Sequence, residues 1–166
     1  MQQLTTEEYE AKAAARFWRK VDKSAGCWIW TGTRTHQDYG RFFLTYPDGK
    51  KCQVSAHRFA WADVNGPIPD GIEIDHACHT PLCVNPGHLR AATRKQNSEN
   101  RQGPTCRNKS GVRGVFWHAN RWVAKLGHNK KQVMVGRFLT LEEAEAAIVA
   151  KRLELFTHNV VDRSTR

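Results

Sequence analysis

The stretch of residues 75–100 constrains this chain most, because it concentrates metal-binding and proton-accepting side chains in one short irregular segment. It reads DHACHTPLCVNPGHLRAATRKQNSEN. Cys78, Cys83 and His88 are separated by four intervening residues each, a spacing that suits three ligands of a closed zinc site. A structural metal would be useful, because 166 residues divided into two small domains leave each domain with a thin core.

The same segment also supplies a candidate general base and oxygen donors. His76 lies two residues before Cys78, so it is held near the loop without having to be a ligand. Histidine suits general-base work because its unperturbed pKa lies near neutral pH. Asp75 and Asn97 carry hard oxygens of the kind that Mg²⁺ prefers. Together these groups predict phosphodiester hydrolysis; a zinc ligand or a packed core histidine is the alternative for His76.

Charge is spread unevenly along the chain, whose formal net charge is +10. Residues 1–102 hold 14 basic and 11 acidic residues, whereas residues 103–166 hold 12 basic and five acidic ones. No acidic residue lies between Glu99 and Glu142, although nine basic residues do. Such a field attracts a polyanion, and phosphate neutralisation would supply most of the non-specific affinity. A basic surface kept for solubility is the alternative interpretation.

The cysteine count and the N-terminal sequence bear on the cellular compartment. Five cysteines are an odd number, which in a reducing compartment favours metal ligation over a disulfide framework. The N-terminal residues MQQLTTEEYEAKAAARFWRK mix charges and lack the apolar core of a signal peptide. We therefore expect a cytoplasmic, intracellular protein with no membrane partner.

Local patterns predict an α+β fold. Residues 5–21 are expected to form a helix with a threonine cap. Alternating apolar and polar residues then predict short strands around a hairpin turn at 47–50, and residues 56–66 could instead form a short helix. The segment IEIDH at 72–76 is expected to be a short strand that delivers the candidate base.

The second half of the chain predicts a helix, a linker and a small sheet. Residues 88–100 are expected to form a helix or helical turn that carries Asn97. Further on, three strand patterns precede a helix capped by Thr140, with Glu143 completing a capping box. We expect the domains to be residues 1–102, a linker at 103–110, and residues 111–166.

The spacing of DH, C-x4-C, N-P-x-H-L and an Asn nine residues past His88 resembles the HNH, or ββα-metal, endonucleases. The CxxxxCxNPxHL part is most similar to the His-Cys box branch of homing endonucleases, and the resemblance covers about residues 25 to 101. It implies a zinc-stabilised ββα-metal nuclease module that cuts a specific site in double-stranded DNA. It further implies a His general base with catalytic Mg²⁺, and 5′-phosphate and 3′-hydroxyl ends.

The resemblance also suggests roles for residues outside the first three zinc ligands. The family places its first ligand before the sheet, which favours Cys27 as the fourth zinc ligand, with Cys52 as the alternative. Asn85 is expected to pin the loop backbone rather than to orient His76 directly. Arg41 or Arg58 could grip the scissile phosphate bidentately. We prefer Arg41, and a surface arginine is the alternative.

The C-terminal part resembles a second family. The residues SGVRGVFWHANRWVAKL, VGRF and LEEAEAAIVAK are similar to the AP2 DNA-binding domain over about residues 109 to 157. The resemblance implies a three-stranded antiparallel sheet plus helix, with the sheet in the major groove. Strand alternation separates Arg121 and Lys125 from Trp122, which is expected in the core. The candidate DNA contacts are Arg113, Trp117, Arg121, Lys125, Lys130 and Arg137.

Two rival functions remain open from the sequence. One is a non-catalytic, sequence-specific DNA-binding protein with a structural zinc site, and the other is a structure-specific or RNA-directed nuclease. The intact set of His76, Asn85 and Asn97 argues against the first rival. By resemblance the chain is of the sort carried by phages or mobile introns. A homodimer is the assembly that double-strand cleavage would require, because a monomer with one active site would cut only one strand.

Overall fold

The structure of the chain, a computed structural model, describes residues 5–46, 48–104, 106 and 108–164. The chain forms two compact units, Met1–Arg94 and Lys95–Arg166. The expected linker at 103–110 therefore belongs to the C-terminal unit, and its residues 105 and 107 lie outside the described residues. No helix among the described residues is both long and apolar enough to cross a membrane.

The first unit begins with a capped helix. Helix α1 (Thr6–Trp18) has Thr5 as its N-cap, and a capping box joins Thr5 to Glu8, as the sequence predicts for its start. The helix ends earlier than expected, because Val21 belongs to strand β1 (Val21–Asp22) and pairs with Trp30 of strand β2 (Ile29–Trp30). A tertiary pairing thus takes the last residues of the predicted helix.

A hairpin and a second helix follow. Strands β3 (Arg41–Thr45) and β4 (Lys51–Ser55) pair antiparallel on either side of the expected turn, whose Pro47 lies outside the described residues. Helix α2 (Ala56–Asn65) then ends at Gly66, whose φ of 86° is readily available to glycine. The alternative of a short helix over 56–66 is therefore the one that forms.

Aromatic packing holds the first unit together. Phe17 is fully buried, and its ring stacks on Trp30 with a centroid distance of 4.8 Å and an angle of 23°. The Phe42 ring meets Phe17 edge-on at 5.1 Å. Ala60 of α2 is also fully buried in this cluster. Because β2, β3 and α2 share one core, the loop between β2 and β3 is anchored at both ends.

A second hairpin carries the segment rich in potential ligands. Strand β5 (Ile72–His76) pairs antiparallel with β6 (Leu89–Thr93), so that His76 faces Leu89 in register. A 3₁₀ turn (Pro86–His88) precedes β6, and helix α3 (Arg94–Glu99) follows it. The prediction of a helix over 88–100 is thus wrong for its first half. Alanine-rich LRAAT favours a helix locally, but pairing with β5 overrides that preference.

The C-terminal unit is a small sheet with a helix. Strands β7 (Val115–His118), β8 (Arg121–His128) and β9 (Lys131–Phe138) form an antiparallel sheet in the order β7-β8-β9. Helix α4 (Leu141–Leu155) follows, with the predicted capping box between Thr140 and Glu143. Short helix α5 (Val161–Ser164) was not anticipated. Small antiparallel sheets and helices thus make up both units, as the α+β prediction requires.

One face of this sheet packs on α4. Val115, Ala124 and Ile148 are fully buried in the shared core. Gly114 is required at the start of β7, because its φ is 86° and a Cβ there would lie 2.8 Å from the Lys125 carbonyl oxygen. The tight approach of these two chain segments therefore fixes where β7 begins.

Candidate functional site

Four potential metal ligands converge in the first unit. One ligand atom from each of Cys27, Cys78, Cys83 and His88 lies within 4.8 Å of the other three. His88 Nδ1 is 3.5 Å from Cys27 Sγ and 3.6 Å from Cys83 Sγ. Tetrahedral zinc with ordinary bond lengths spaces sulfur and nitrogen ligands by about 3.5 Å. The donor set and its spacing therefore fit zinc, and these four residues could hold it.

Backbone pairing explains how the distant Cys27 reaches the group. The Trp30 amide donates to the Leu82 carbonyl at 2.9 Å, and the Val84 amide donates to the Trp28 carbonyl at 2.8 Å. The backbone around β2 is thus hydrogen-bonded to the loop that carries Cys83. Cys52, the alternative ligand, is exposed on β4 and does not belong to this group.

The thiol of Cys83 shows why a cation would matter here. The pKa of Cys83 is raised to about 12, chiefly by burial and also by the nearby Cys78 and Cys27, while the Asn85 backbone amide lowers it. Zinc binds thiolate, the form that this environment disfavours. A cation among the four ligand atoms would offset both burial and thiolate repulsion. The cluster is therefore electrostatically suited to a metal ion.

His76 is buried beside this cluster and is oriented by it. His76 is only 8% exposed, and its Nε2 lies 3.0 Å from the Cys83 carbonyl oxygen. Because a carbonyl only accepts, Nε2 carries the hydrogen and Nδ1 carries the lone pair in the neutral ring. Burial lowers the pKa of His76, against the raising effects of the Cys83 carbonyl and the Asp75 charge. The ring is thus held as a neutral proton acceptor.

Cys83 therefore belongs to two features at once. Its Sγ lies in the potential zinc group, and its carbonyl oxygen fixes the tautomer of His76. The sequence does not reveal this carbonyl as the partner of His76. No residue type carries that signal, because any residue offers a backbone carbonyl.

Asn85 forms two hydrogen bonds to the backbone of neighbouring chain segments. Its side-chain amide donates to the Gly26 carbonyl at 2.9 Å, and its Oδ1 accepts from the Gly87 amide at 3.0 Å. The first contact ties the loop to the residue before Cys27. The second caps the 3₁₀ turn that ends at His88. Asn85 thus links the chain segments that carry two of the potential metal ligands.

The other candidate residues for catalysis lie on β5, α3, β3 and α2. Asp75 Oδ2 accepts from Arg90 Nε at 2.9 Å and from Arg90 Nη2 at 2.8 Å, so a metal ion at Asp75 would share the carboxylate with Arg90. Asn97 lies on α3, which packs within the C-terminal unit. Arg41 lies half-buried on β3, and its Nε is buried without a hydrogen-bond partner among the described residues. Arg58 is exposed on α2.

Two rings beside His76 were missed as parts of the site. The ring of His57 lies 4.7 Å from that of His76, and Tyr39 lies 5.7 Å from His57 and 6.0 Å from His76. Burial lowers the pKa of His57 to about 3, with smaller contributions from the charges of His76 and Arg58. Neither His57 nor Tyr39 is near His76 in the sequence, so only the fold brings them to the candidate base.

In the C-terminal unit, three candidate DNA contacts share the open face of the sheet. Arg121 and Lys125 alternate on β8, and Arg137 pairs with Val123, which lies between them. Because paired residues in a ladder point the same way, all three side chains lie on one face, and all three are exposed. Trp122 packs against the core on the other face, as predicted.

Arg113 is already engaged within the C-terminal unit. Its Nη1 donates to the carbonyls of Glu99 at 3.1 Å and Arg101 at 2.8 Å, and its Nη2 donates to the Ser98 carbonyl at 2.9 Å. The guanidinium therefore anchors the end of α3. A base contact by Arg113 would require these three hydrogen bonds to break, so the structure gives this arginine a structural use that the sequence did not suggest.

The last two candidates lie away from the open face. Trp117 pairs with Trp122, which places it on the helix side of the sheet, where 55% of it is exposed. Lys130 is exposed in the turn between β8 and β9, with a φ of 62°. Lys130 is therefore accessible to phosphate, whereas Trp117 extends the edge of the apolar face.

Comparison with known proteins places the central part of the chain in a nuclease family. Residues 54–99 match the family model described as HNH endonuclease. The chain is 40% identical over 73 residues to "Protein 7.7" of Escherichia phage T7, covering 44% of this chain and 52% of that protein. It is 35% identical over 74 residues to the "Uncharacterized gene 5.3 protein" of Enterobacteria phage T3, covering 43% of this chain and 73% of that protein.

The extent of these matches defines what they show. The chain spans about half the length of the T7 relatives that it matches, including "Protein 2.8", to which it is 39% identical over 75 residues, or 45% of this chain and 48% of that protein. It covers 73% of the T3 protein, so the chain belongs to the family of that phage protein. Its HNH endonuclease domain supports a nuclease. No solved structure matches the chain.

Proposed function

We propose that the chain is a metal-dependent DNA endonuclease of the homing type, in which a zinc-stabilised loop orients His76 as the general base. The observation that carries this proposal is the contact between His76 Nε2 and the Cys83 carbonyl oxygen, 3.0 Å apart, in a residue whose Sγ belongs to the potential zinc group. The match of residues 54–99 to an HNH endonuclease supports the same reaction class.

In this proposal His76 activates the attacking water. Nδ1 accepts a proton from a water molecule as its oxygen attacks the scissile phosphorus, while Nε2 keeps its hydrogen on the Cys83 carbonyl. The ring becomes cationic in this step. Both the Cys83 carbonyl and the negative charge of Asp75 favour the cationic ring, because each raises the pKa of His76. Burial opposes the cation and so keeps the ring neutral before the reaction.

Two metals of different chemistry belong to the proposal. Zinc would be structural, held by Cys27, Cys78, Cys83 and His88. Magnesium is proposed as the catalytic ion, because Asp75 and Asn97 each carry an oxygen that suits a hard cation. When bound, Mg²⁺ would stabilise the charge that develops on the phosphate and on the leaving 3′-oxygen. Asp75 is buried and acidic, which fits a cation site shared with Arg90.

DNA recognition is assigned to both units. Arg41 would hold the scissile phosphate through its half-buried guanidinium, and Asn85 would keep the catalytic loop in place. In the AP2-like C-terminal unit, Arg121 and Arg137 would meet base edges, while Lys125 and Lys130 would mainly meet phosphate. Arg121, Lys125 and Arg137 are all exposed on one face of the sheet, which supports this assignment.

A cleavage assay tests the proposal. Supercoiled plasmid or phage DNA is incubated with the zinc-loaded protein, with added Mg²⁺ in one series and with EDTA in the other. We expect nicking or linearisation only with Mg²⁺, and ends that DNA ligase can rejoin, because ligation requires 5′-phosphate and 3′-hydroxyl groups. Binding without cleavage under all metal conditions would favour a non-catalytic DNA-binding protein. Preferential cutting of RNA would favour the RNA-directed alternative.

A further inference from the structure

We propose that His57 is a positioning residue for the candidate base, acting by packing its ring against the ring of His76. This inference rests on the proposed function of His76 and adds a residue to that site. The two ring centroids are 4.7 Å apart at an angle of 57°, and the two residues are only 9% and 8% exposed. Such a buried contact restricts the positions that either ring can take.

Packing against His57 complements the hydrogen bond at Nε2, because a hydrogen bond to one ring nitrogen positions that nitrogen rather than the ring plane. The orientation of the ring plane decides where Nδ1 lies. Turning would move Nδ1, the nitrogen that accepts the proton, relative to the attacking water. The flank of His57 limits this rotation. Misplacement of a reacting group by about 1 Å can lower a rate by about a hundredfold.

The fold holds His57 firmly at this position. His57 is the second residue of α2, and the preceding Ala56 is 1% exposed and donates its amide to the Gly40 carbonyl at 2.9 Å. A Cβ on residue 40 would lie 2.8 Å from the Ala56 Cβ and 2.6 Å from the Trp30 ring, so only glycine allows this approach. The same approach places Tyr39 against both histidine rings.

The surroundings of His57 indicate packing rather than hydrogen bonding. Its Nδ1 is buried without a hydrogen-bond partner among the described residues. Burial and the neighbouring charges keep the ring uncharged, since they lower the pKa of His57 to about 3. An uncharged flank does not repel the cation that forms on His76 during the reaction. A phenylalanine ring should therefore replace His57, whereas a polar side chain without a ring should not.

Three variants of the full zinc-loaded chain separate these possibilities. His57→Phe keeps a ring without nitrogens, His57→Gln keeps hydrogen-bonding groups without a ring, and His57→Ala removes both. His36→Ala is the matched control, because it removes an exposed imidazole that has no assigned role. Zinc content and circular dichroism establish that each variant keeps its fold. His57→Phe keeps the test decisive even if the alanine variant does not fold.

The first readout does not depend on activity. Long-range proton–nitrogen NMR spectra of the histidine rings report the tautomer and the order of His76, whose signals are assigned by their loss in His76→Gln. We expect a single neutral tautomer with hydrogen on Nε2 in the wild type, in His57→Phe and in His36→Ala. The alanine and glutamine variants should give mixed or broadened His76 signals. An unchanged His76 spectrum in His57→Ala would overturn the proposal.

The second readout is single-turnover cleavage of plasmid DNA with Mg²⁺. The rate should fall about tenfold or more in His57→Ala and His57→Gln, with DNA affinity within about threefold of wild type, and should stay within about threefold in His57→Phe. A glutamine variant that cuts normally while the phenylalanine variant does not would show a hydrogen-bonding role and overturn the proposal. If the proposed function is wrong, wild type and His76→Ala will show no difference in cleavage. The NMR spectra will still decide whether His57 positions the ring of His76.

Discussion

At the scale of single residues, Cys83 connects the potential zinc group to the orientation of His76. Its Sγ lies with three other potential zinc ligands, and its carbonyl oxygen holds His76. If this group holds zinc, we expect its loss to disturb the orientation of His76, although His76 is outside the group. The sequence alone could suggest both the ligands and the base, because side-chain chemistry and spacing are visible there. It could not reveal the carbonyl that connects them.

The choice between Cys27 and Cys52 gives a direct prediction at this scale. Cys27→Ser should lose copurifying zinc and lower the free energy of unfolding of the first unit by about 3 kcal/mol or more, because zinc binding contributes folding free energy. Cys52→Ser is the matched control and should keep its zinc, since Cys52 is exposed and outside the ligand group. Elemental analysis and urea denaturation measure both effects. Full zinc occupancy in Cys27→Ser would remove it from the site.

At the scale of secondary-structure elements, Arg113 connects the end of α3 to the sheet that follows. Arg113→Ala should destabilise the C-terminal unit by about 1–3 kcal/mol, because three carbonyl groups lose a charged donor. Arg121→Ala, on the open face, should change stability by less than about 0.5 kcal/mol. It should instead relax sequence preference, at about 1–3 kcal/mol per lost base contact. Urea denaturation measures the change in stability, and binding to a randomised DNA pool measures the sequence preference. A large loss of stability in Arg121→Ala together with relaxed sequence preference in Arg113→Ala would contradict these roles.

The ion pair between α4 and α5 predicts acid sensitivity. Arg152 Nε lies 2.6 Å from Asp162 Oδ2, and Arg152 Nη2 lies 3.0 Å from Oδ1. Burial alone would raise the pKa of Asp162, but hydrogen bonds from Arg152 and Asn159 and the charges of Arg152 and Arg113 lower it overall. The pair therefore contributes stability above the unfolded pKa, near 3.8, which is lost as pH falls through the folded pKa.

Asp162→Asn tests this account of the ion pair. At pH 7 the variant should lose about 3–5 kcal/mol of unfolding free energy in the C-terminal unit, because Arg152 stays buried without its counter-charge. As the pH falls below the unfolded pKa near 3.8, the wild type should lose more stability than the variant, which has no carboxylate to protonate. Amide exchange along α4 measures both. Parallel pH profiles for the two proteins would contradict the role given to Asp162.

The secondary structure shows which local rules were sufficient. The threonine cap of α1 and the capping box of α4 were predicted from the sequence, because caps depend on neighbouring residues. The strand β6 was not, because LRAAT has no strong strand preference and pairs with β5 through tertiary contacts. The early end of α1 has the same cause, since Val21 pairs with Trp30.

At the scale of the whole molecule, composition predicts a linker at residues 103–110, whereas the two compact units divide between Arg94 and Lys95. The second unit starts at Lys95, ahead of the Gly- and Pro-containing segment. Long-range contacts explain this position, because the Thr157 amide donates to Glu99 Oε2 at 2.9 Å and the Val160 amide donates to Asn100 Oδ1 at 3.2 Å. Such contacts cannot be read from local composition, so the segment looked like a linker.

The boundary predicts how fragments behave. Residues 95–166 expressed alone should fold and bind DNA, with an affinity that falls steeply as salt rises, because their basic residues face few acidic ones. Residues 103–166 should be less stable, because they lack the partners of Arg113 and Thr157. Thermal denaturation and salt titrations of binding compare the two. Equal stability of both fragments would contradict a boundary at Lys95. Weak, salt-insensitive DNA binding by residues 95–166 would indicate that the first unit recognises DNA.

The central claim is that His76, oriented by Cys83, is the base of a DNA-cleaving site, and single-turnover cleavage by His76→Ala tests it most directly. With Mg²⁺ present, the variant should cut DNA at least about a hundredfold more slowly than the wild type, because the water loses its proton acceptor. Its zinc content and its DNA affinity should stay within a few fold, since His76 is not among the four potential zinc ligands. Cleavage at the wild-type rate by His76→Ala would contradict the account.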